Sequence, residues 1–370
     1  MNPRKFPDVR AIFQRKSDLV SKEGLGGLRA REEDFDDPDD LSLAPMPTEE
    51  KQSRPRLAFS VADLRERLAA VQRQPWLDNL LARQVVAVSV EGARLQMLTF
   101  RDQRVDGWAT VPVDERFFRG GQLIDPTGLG GAIDDAFDQL ALPRQRVIWS
   151  LPGQQATFKV IDLPRLQGEE LRQAINEEAE RSLGVTPEDS YIFSQRLSGR
   201  IKRRRVFVLA IPHSVVLTAL EALDVANIRP LAMDLRPLAI ARAVGRSDAV
   251  IVNLEDTNLD VIVVVDNVPV LMRSLPLAGA TIGREAAQNR LVEEAERLLT
   301  YYDDANPDRP LDADAPLYLT GSWTGGISLA ERLRAVTRHP IGRLSPGIHH
   351  PPDFPVMDYL VNLGLALKQS

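Results

Sequence analysis

From residue 60 onward the apolar positions fall into repeating patterns, and the patterns predict the elements. Val61, Leu64, Leu68 and Val71 recur at helical spacing. Ser60 and Asp63 before them have capping-box spacing, with Asp in place of the usual Glu. Pro75 breaks that helix, and "WLDNLLAR" adds a short further turn. At Gln84 the period changes. "VVAVSV", "ARLQMLTF" and "RVDGWATVPV" read as three strands joined by the turns "EG" and "RDQ". A helix is expected around "GLGGAIDDAFDQLAL", with Ile133, Phe137 and Leu140 on one side. "RVIWSL" is a short, nearly all-apolar run, as in a strand buried on both faces.

The same order returns later. "DAVIVNL", "LDVIVVVD" and "VPVLMRSLPL" read as three strands, and "PLYLTG" as a buried one. The helix between them, "GREAAQNRLVEEAERLLTYYDD", places Leu291, Ala295, Leu298 and Tyr302 on its inner face. Two halves of this order predict an α/β fold of the duplicated ribonuclease-H-like, or actin-like, type. Between the halves, "ATFKVIDLP", "SYIFSQRL" and "RRVFVLAIP" read as strands. "GEELRQAINEEAERSLG" reads as a helix with Leu171, Ile175, Ala179 and Leu183 inside and Gly184 at C′. The expected organisation is a tail over 1–58 and a helix over 59–83. A first half follows over 84–248, with a small α+β insert over 156–211, and then a second half with a closing helix over 249–370.

Composition narrows the picture. The chain has 370 residues, 44% of them hydrophobic, enough for two ordinary cores. "REEDFDDPDDLSLAPMPTEEKQSRPR" is acidic and Pro-bearing and buries too little apolar surface to offset the entropy of ordering. A basic stretch precedes it, so the tail reads as a solvated extension, with a docking segment as the alternative. A net charge of −6 argues against nucleic acid as the main partner. The absence of cysteine excludes disulfides, thiolate zinc sites and a cysteine nucleophile. No apolar run approaches the roughly 18 residues of a membrane span, and "MNPRKFPDVRAIFQRK" has no apolar core for a secretory signal. A soluble cytoplasmic protein is the expectation.

Four stretches in order resemble the type IV pilus assembly protein PilM family, actin-like proteins related to the cell-division protein FtsA. The longest is "SLPGQQATFKVIDLPRLQGEELRQAINEEAERSLGVTPEDSYIFSQRL". The others are "ALEALDVANIRPLAMDLRPLAIARAVG", which holds Asp234, then "MRSLPLAGATIGREAA" and "YLVNLGLALKQS". The resemblance covers 84–370. It implies ATP in a cleft between two halves, and the cytoplasmic tail of a PilN-like inner-membrane protein bound beside the insert. It also implies contacts with other platform subunits and a place in the cytoplasm against the inner membrane.

Residue by residue, the nucleotide motifs of that family are altered. In the first phosphate hairpin Ser89 replaces an Asp, Glu91 replaces a Gly, and Gln96 stands where a Lys is expected; Gly92 lies one place late. In the second, Asn253 replaces the Asp and Glu255 the Gly, with Asp256 next and Thr257 left to supply a hydroxyl. The adenosine glycines are Gly321, then Gly325 and Gly326, displaced by four places. Phosphate loops work because Gly lets backbone N–H groups close on the anion, whereas a Glu brings negative charge toward it. The neutral Ser89 and Asn253 hold Mg²⁺ poorly. Two readings stand: an altered site that still takes a nucleotide, and hairpins kept as plain structure. The second is the expectation, with no cofactor, no metal and no catalytic residue.

His213, His339, His349 and His350 show no metal-ligand spacing. Arg200, Lys202, Arg203, Arg204 and Arg205 cluster at the insert hairpin. They read either as a solvated loop or as a contact for anionic headgroups or an acidic partner segment. The expected function is a non-catalytic actin-like scaffold of a type IV pilus or type II secretion-like platform. The alternative is an actin-like ATPase or kinase-type enzyme.

Overall fold

Residues 84–197, 204–255, 257–277, 283–307, 310–322 and 327–369 are described by a computed structural model. The expected tail and N-terminal helix lie outside these residues.

The first three strands form an antiparallel meander: β1 (Val85–Glu91), β2 (Arg94–Arg101) and β3 (Arg104–Pro112). Asp102 and Gln103, at φ 47° and 64°, supply the two left-handed positions that a two-residue hairpin turn requires. A small hairpin, β4 (Phe118–Arg119) with β5 (Gln122–Leu123), leads to α1 (Pro126–Gln139). Asp125 caps α1 by accepting from the Gly128 N–H at 2.8 Å. Ile133 and Phe137 are buried as expected. Leu140 instead sits just past the helix end and is 40% exposed, because the chain turns off the helix there and takes it away from the inner stripe.

β6 (Val147–Leu151) pairs parallel with β1 and is wholly buried. Its outer neighbour is β10 (Ala232–Leu235), so the sheet order is β10-β6-β1-β2-β3. Both faces of β1 are covered, which explains its continuous apolar run. Val86 and Val88 face α1 and α3 (His213–Val225). Val85 and Ala87 face α4 (Arg236–Val244) and α7 (Leu360–Ala366).

The insert leaves after β6 and returns at α3. Its sheet has the order β7-β9-β8, from β7 (Thr157–Leu163), β8 (Ser190–Arg196) and β9 (Arg204–Pro212). α2 (Gly168–Leu183) covers one face through Leu171, Ile175 and Ala179, and Gly184 ends it at φ 67°. From the other face Phe207, Leu209 and Ile211 join the core of the first half.

The second half repeats the plan. β11 (Ala249–Leu254), β12 (Asn258–Val265) and β13 (Val268–Pro276) form a meander, with β14 (Leu317–Thr320) parallel to β11. Asp266 and Asn267 make the same left-handed turn as in the first half, at φ 54° and 64°. A fifth strand is reduced to one bridge between Ile341 and Leu317. α5 (Arg284–Ala305) and α6 (Ile327–Thr337) pack on this sheet. On α5, Leu291, Ala295 and Tyr302 are inside as expected, while Leu299 is also buried and Leu298 lies at the edge of the core, half-buried. A shared core joins the halves. There Ala239, Ile240 and Leu363 of the crossing helices α4 and α7 meet Ile251 and Ile262 of the second sheet.

Candidate functional site

Side chains alternate along a strand, so positions 85, 87, 89 and 91 of β1 share one face, as do 249, 251, 253 and 255 of the β11 run. Val85 and Ala87, like Ala249 and Ile251, belong to the shared core. Beyond them, at matching places in the two halves, come Ser89 with Glu91 and Asn253 with Glu255. Opposite them in register stand Gln96 beside Ser89 and Asp260 beside Asn253. The two hairpins are therefore brought together as the duplication predicts.

All of these polar residues are buried, and all are bonded to protein groups. The Ser89 hydroxyl donates to Asn362 Oδ1 at 3.1 Å and faces Gln96 Oε1 at 3.4 Å. Asn362, on α7, donates back to the carbonyls of Ala87 and Gln96. Asn253 accepts from Thr320 Oγ1 at 2.9 Å and donates to Asp260 at 3.1 Å. Arg236, the first residue of α4, has a side chain only 4% exposed. It donates to Glu91 Oε2 at 3.1 Å and to Asp260 Oδ1 at 3.0 Å. Asp260 also accepts from Ser274 at 2.5 Å. Arg94, in the first hairpin, reaches Glu255 in the second at 3.2 Å, and Ser322 donates to the same carboxylate at 2.5 Å. The amides of Gln154 and Asn258 meet across the halves at 2.5 Å.

Each acid that entered a phosphate hairpin thus has an arginine of this chain beside it. The pairs Arg94–Glu255 and Arg236–Asp260 run from one half to the other. Arg236 and Asn362 escape sequence reasoning, although each carried a signal: a lone Asn in the apolar run "YLVNLGLAL", and an Arg straight after the buried strand "AMDL". A second buried cluster, Asp234 with Arg242 at 2.8 Å and Lys368 at 3.3 Å, ties β10 to the C-terminus. Burial opposes the Asp234 charge, but the two cations prevail and hold its carboxyl below the usual range.

Glu91 goes the other way. Burial pushes its carboxyl from 4.5 up to about 8; Arg236 offsets only part of this, and Glu255 and Asp260 add to it. Between those values the folded chain keeps a proton that the unfolded chain releases. Stability therefore falls as pH rises through this window, by about 1.4 kcal/mol per unit from this group alone. Gln mimics the protonated acid. Relative to wild type, Glu91→Gln is expected to gain about 5 °C or more in Tm on going from pH about 5 to about 8. Parallel melting profiles for the two chains across that range would refute the assignment.

A pocket of about 600 Å³ opens beside this closure. Its wall is formed by Glu91 and Gly92 of the first hairpin, Thr257 and Asn258 of the second, and Arg236. Phe118 and Leu123 of the small hairpin, Trp149 and Pro152 at the end of β6, and Ser214 and Val215 of α3 complete it. It thus lies where the insert joins the first half. Of the residues read from sequence as nucleotide-binding, Gly92 and Thr257 reach it. Ser89, Gln96 and Asn253 lie in the interior, bonded as above. Gly321 sits at φ 100°, and a Cβ there would fall 2.3 Å from the Leu254 carbonyl oxygen. Asp256, Gly325 and Gly326 lie outside the described residues.

Arg200, Lys202 and Arg203 also lie outside them. Arg204 opens β9 opposite Leu163, and Arg205 stands opposite Asp162. His213 packs its ring against Tyr191 at 4.3 Å, and His349 pairs by its backbone with Gln103 and Val105. His339 is buried, and His350 contacts the Pro351 carbonyl. Among the described residues no group of three His, Cys, Asp or Glu side chains could hold a metal, and no helix is long and apolar enough to cross a membrane.

The repeated meander, parallel strand and crossing helices, with two hairpins facing one another, define an actin-like fold. A chain of the PilM–PilN type IV pilus biogenesis complex shares it with a TM-score of 0.64 and 18% identity, over 77% of this chain and 98% of that one. Two further structures match with lower scores. The cytoplasmic domain of EpsL, an inner membrane component of the type II secretion system of Vibrio cholerae, has a TM-score of 0.44 and 12% identity, over 78% of this chain and 96% of that one. A protein of Bacteroides thetaiotaomicron with an actin-like ATPase fold and unknown function has 0.45 and 12%, over 78% and 97%. No family model matches the chain, and no curated protein matches its sequence.

Proposed function

We propose that this chain is a non-catalytic scaffold of a type IV pilus or type II secretion-like platform at the cytoplasmic face of the inner membrane. In this reading it holds the cytoplasmic tail of a PilN-like membrane protein and touches other platform subunits. The observation that carries the reading is the closure of both phosphate hairpins by Arg94 and Arg236 beside an open pocket at the root of the insert. A polyphosphate entering here would meet the Glu255 carboxylate, and would find Glu91 and Glu255 where glycine N–H groups would close on the anion. One such repulsion at ~4 Å and an effective dielectric near 20 is worth about 4 kcal/mol. The pocket walls mix apolar side chains such as Phe118, Leu123, Trp149 and Val215 with polar groups such as Gln122, Gln155 and Thr218, a combination that suits a peptide side chain. The shared fold of the PilM–PilN chain supports the choice of partner. The basic run Arg200 to Arg205 is assigned to headgroups or acidic partner groups on the same ground of chemistry.

The competing reading is a nucleotide-binding ATPase or kinase-type enzyme. It draws on the pocket's reach to Gly92 and Thr257. Thermal denaturation separates the two, since a ligand at 100 times its Kd stabilises by about 2.7 kcal/mol. ATP with Mg²⁺ is expected to leave the Tm unchanged. A photo-cross-linking residue at Leu123 is expected to trap the cytoplasmic tail of a membrane protein in the native host. A clear rise in Tm with ATP and Mg²⁺, or failure to trap any such tail, would sink the scaffold reading.

A further inference from the structure

Buried acids gather beside the pocket, and one of their oxygens is left without a hydrogen-bond partner among the described residues. Glu91 is faced by Arg236 from α4, by Glu255 from the second hairpin turn, and by Asp260 from β12. Arg94, across the first hairpin from Glu91, pairs with Glu255. Among the described residues, three buried acids thus lie beside Arg236 and Arg94. Both Nη groups of Arg236 are already engaged, one with Glu91 and one with Asp260. Glu91 Oε1 is buried and has no hydrogen-bond partner among the described residues. Glu91 nevertheless forms part of the pocket wall, and Glu115 adds a further acid to the lining. The last torsion of a Glu side chain is broad and roughly two-fold, so the carboxylate can turn one oxygen to the pocket while the other keeps Arg236.

A buried carboxylate with an unfilled acceptor wants either a proton or a cation. In the absence of a ligand it takes the proton, since burial raises its pKa to about 8. A cation delivered through the pocket would supply the missing charge in a site largely shielded from water. We propose that Glu91 selects a lysine or arginine side chain of the bound partner segment, pairing with it at the back of the pocket. This rests on the scaffold reading and adds to it a residue that sets specificity. The apolar walls at Phe118, Trp149 and Val215 suit the aliphatic stem of such a side chain, which packs on apolar surface while its head seeks a partner.

Cation binding must displace the Glu91 proton, and this gives the test a signature that plain packing lacks. Below pH about 8 the affinity for a lysine-bearing peptide should weaken by about tenfold per pH unit. Lysine itself stays charged throughout that range. The experiment selects displayed random linear peptides on the full chain and, in parallel, on the Glu91→Gln variant. The expected result is a lysine or arginine at one fixed position in peptides selected by the wild type. These should bind about tenfold or more weakly to the variant, with an affinity to the variant that does not change with pH. Selected peptides without a cationic preference, or with equal and pH-independent affinity for both chains, would overturn the role of Glu91 and leave the scaffold reading standing. Enrichment of no peptide on either chain would overturn both.

Discussion

Replacing Arg236 with Met is expected to lower the stability of the fold by about 3–5 kcal/mol, among the largest effects of any single side chain here. The guanidinium is buried, and it lies 3.1 Å from Glu91 and 3.0 Å from Asp260. Burial works against its charge, yet the two acids beside it hold its pKa above the ordinary arginine value. Met keeps much of the stem but takes away the only cation within hydrogen-bond reach of either acid among the described residues. Asp260 retains Asn253 and Ser274 as donors. Glu91 retains none among the described residues and stays protonated over a wider pH range. The cost is thus mainly that of one uncompensated buried charge, Asp260, together with the lost tie between the halves. Urea denaturation at neutral pH measures it. Adding Glu91→Gln to Arg236→Met should restore little, whereas adding Asp260→Asn should restore a substantial part, because that change removes the stranded charge. A loss below about 1 kcal/mol for the single variant would mean that the network is bridged by solvent rather than by Arg236.

These partners explain what the sequence could and could not tell. Strand order, hairpins and the insert were legible because each rests on a local period: alternation in "VVAVSV", helical spacing in "ELRQAINEEAERSLG", and left-handed turn residues at Asp102 and Asp266. The altered phosphate hairpins were legible as losses of Gly and Asp at single positions. Their compensation was not. Arg236 lies 145 residues from Glu91 along the chain, and Asn362 lies 273 residues from Ser89. No local pattern links them; only the duplication brings them to one face. Gln96 read as a missing lysine, while in the fold it is the register partner of Ser89 beneath α7. The end of α1 failed for a related reason, since the stripe that reaches Leu140 is continuous in sequence but the backbone leaves the helix one residue sooner. The pocket was legible only at Gly92 and Thr257, because the rest of its wall comes from segments far apart in the chain.

The second large effect concerns Gly364 in α7, where two ordinary rules give opposite signs. Helix propensity alone says that Gly→Ala inside a helix stabilises by about 1 kcal/mol. The fold says otherwise. A Cβ at Gly364 would lie 1.8 Å from the Ala239 carbonyl oxygen and 2.4 Å from its carbon. Those are backbone atoms of α4, so no rotamer change can relieve the contact; the two helices must move apart. They cross in the core that both halves share, and Arg242 donates to the Gly364 carbonyl at 2.8 Å across the same crossing. Separation would therefore open packing around Ile240, Leu363 and Ile251 as well as that bond. Overpacking of this kind costs about 1–3 kcal/mol where side chains can yield, and more where backbone is the obstacle. Gly364→Ala is expected to destabilise by about 3 kcal/mol or more, and Gly364→Val by more again. Gly131 in α1 is the internal control, for a Cβ there would meet nothing within 4 Å. Gly131→Ala should follow propensity and stabilise by up to about 1 kcal/mol. Denaturation curves of the two alanine variants thus move in opposite directions. If Gly364→Ala were as stable as the parent chain, the close crossing of α4 and α7 would not be what holds the halves together.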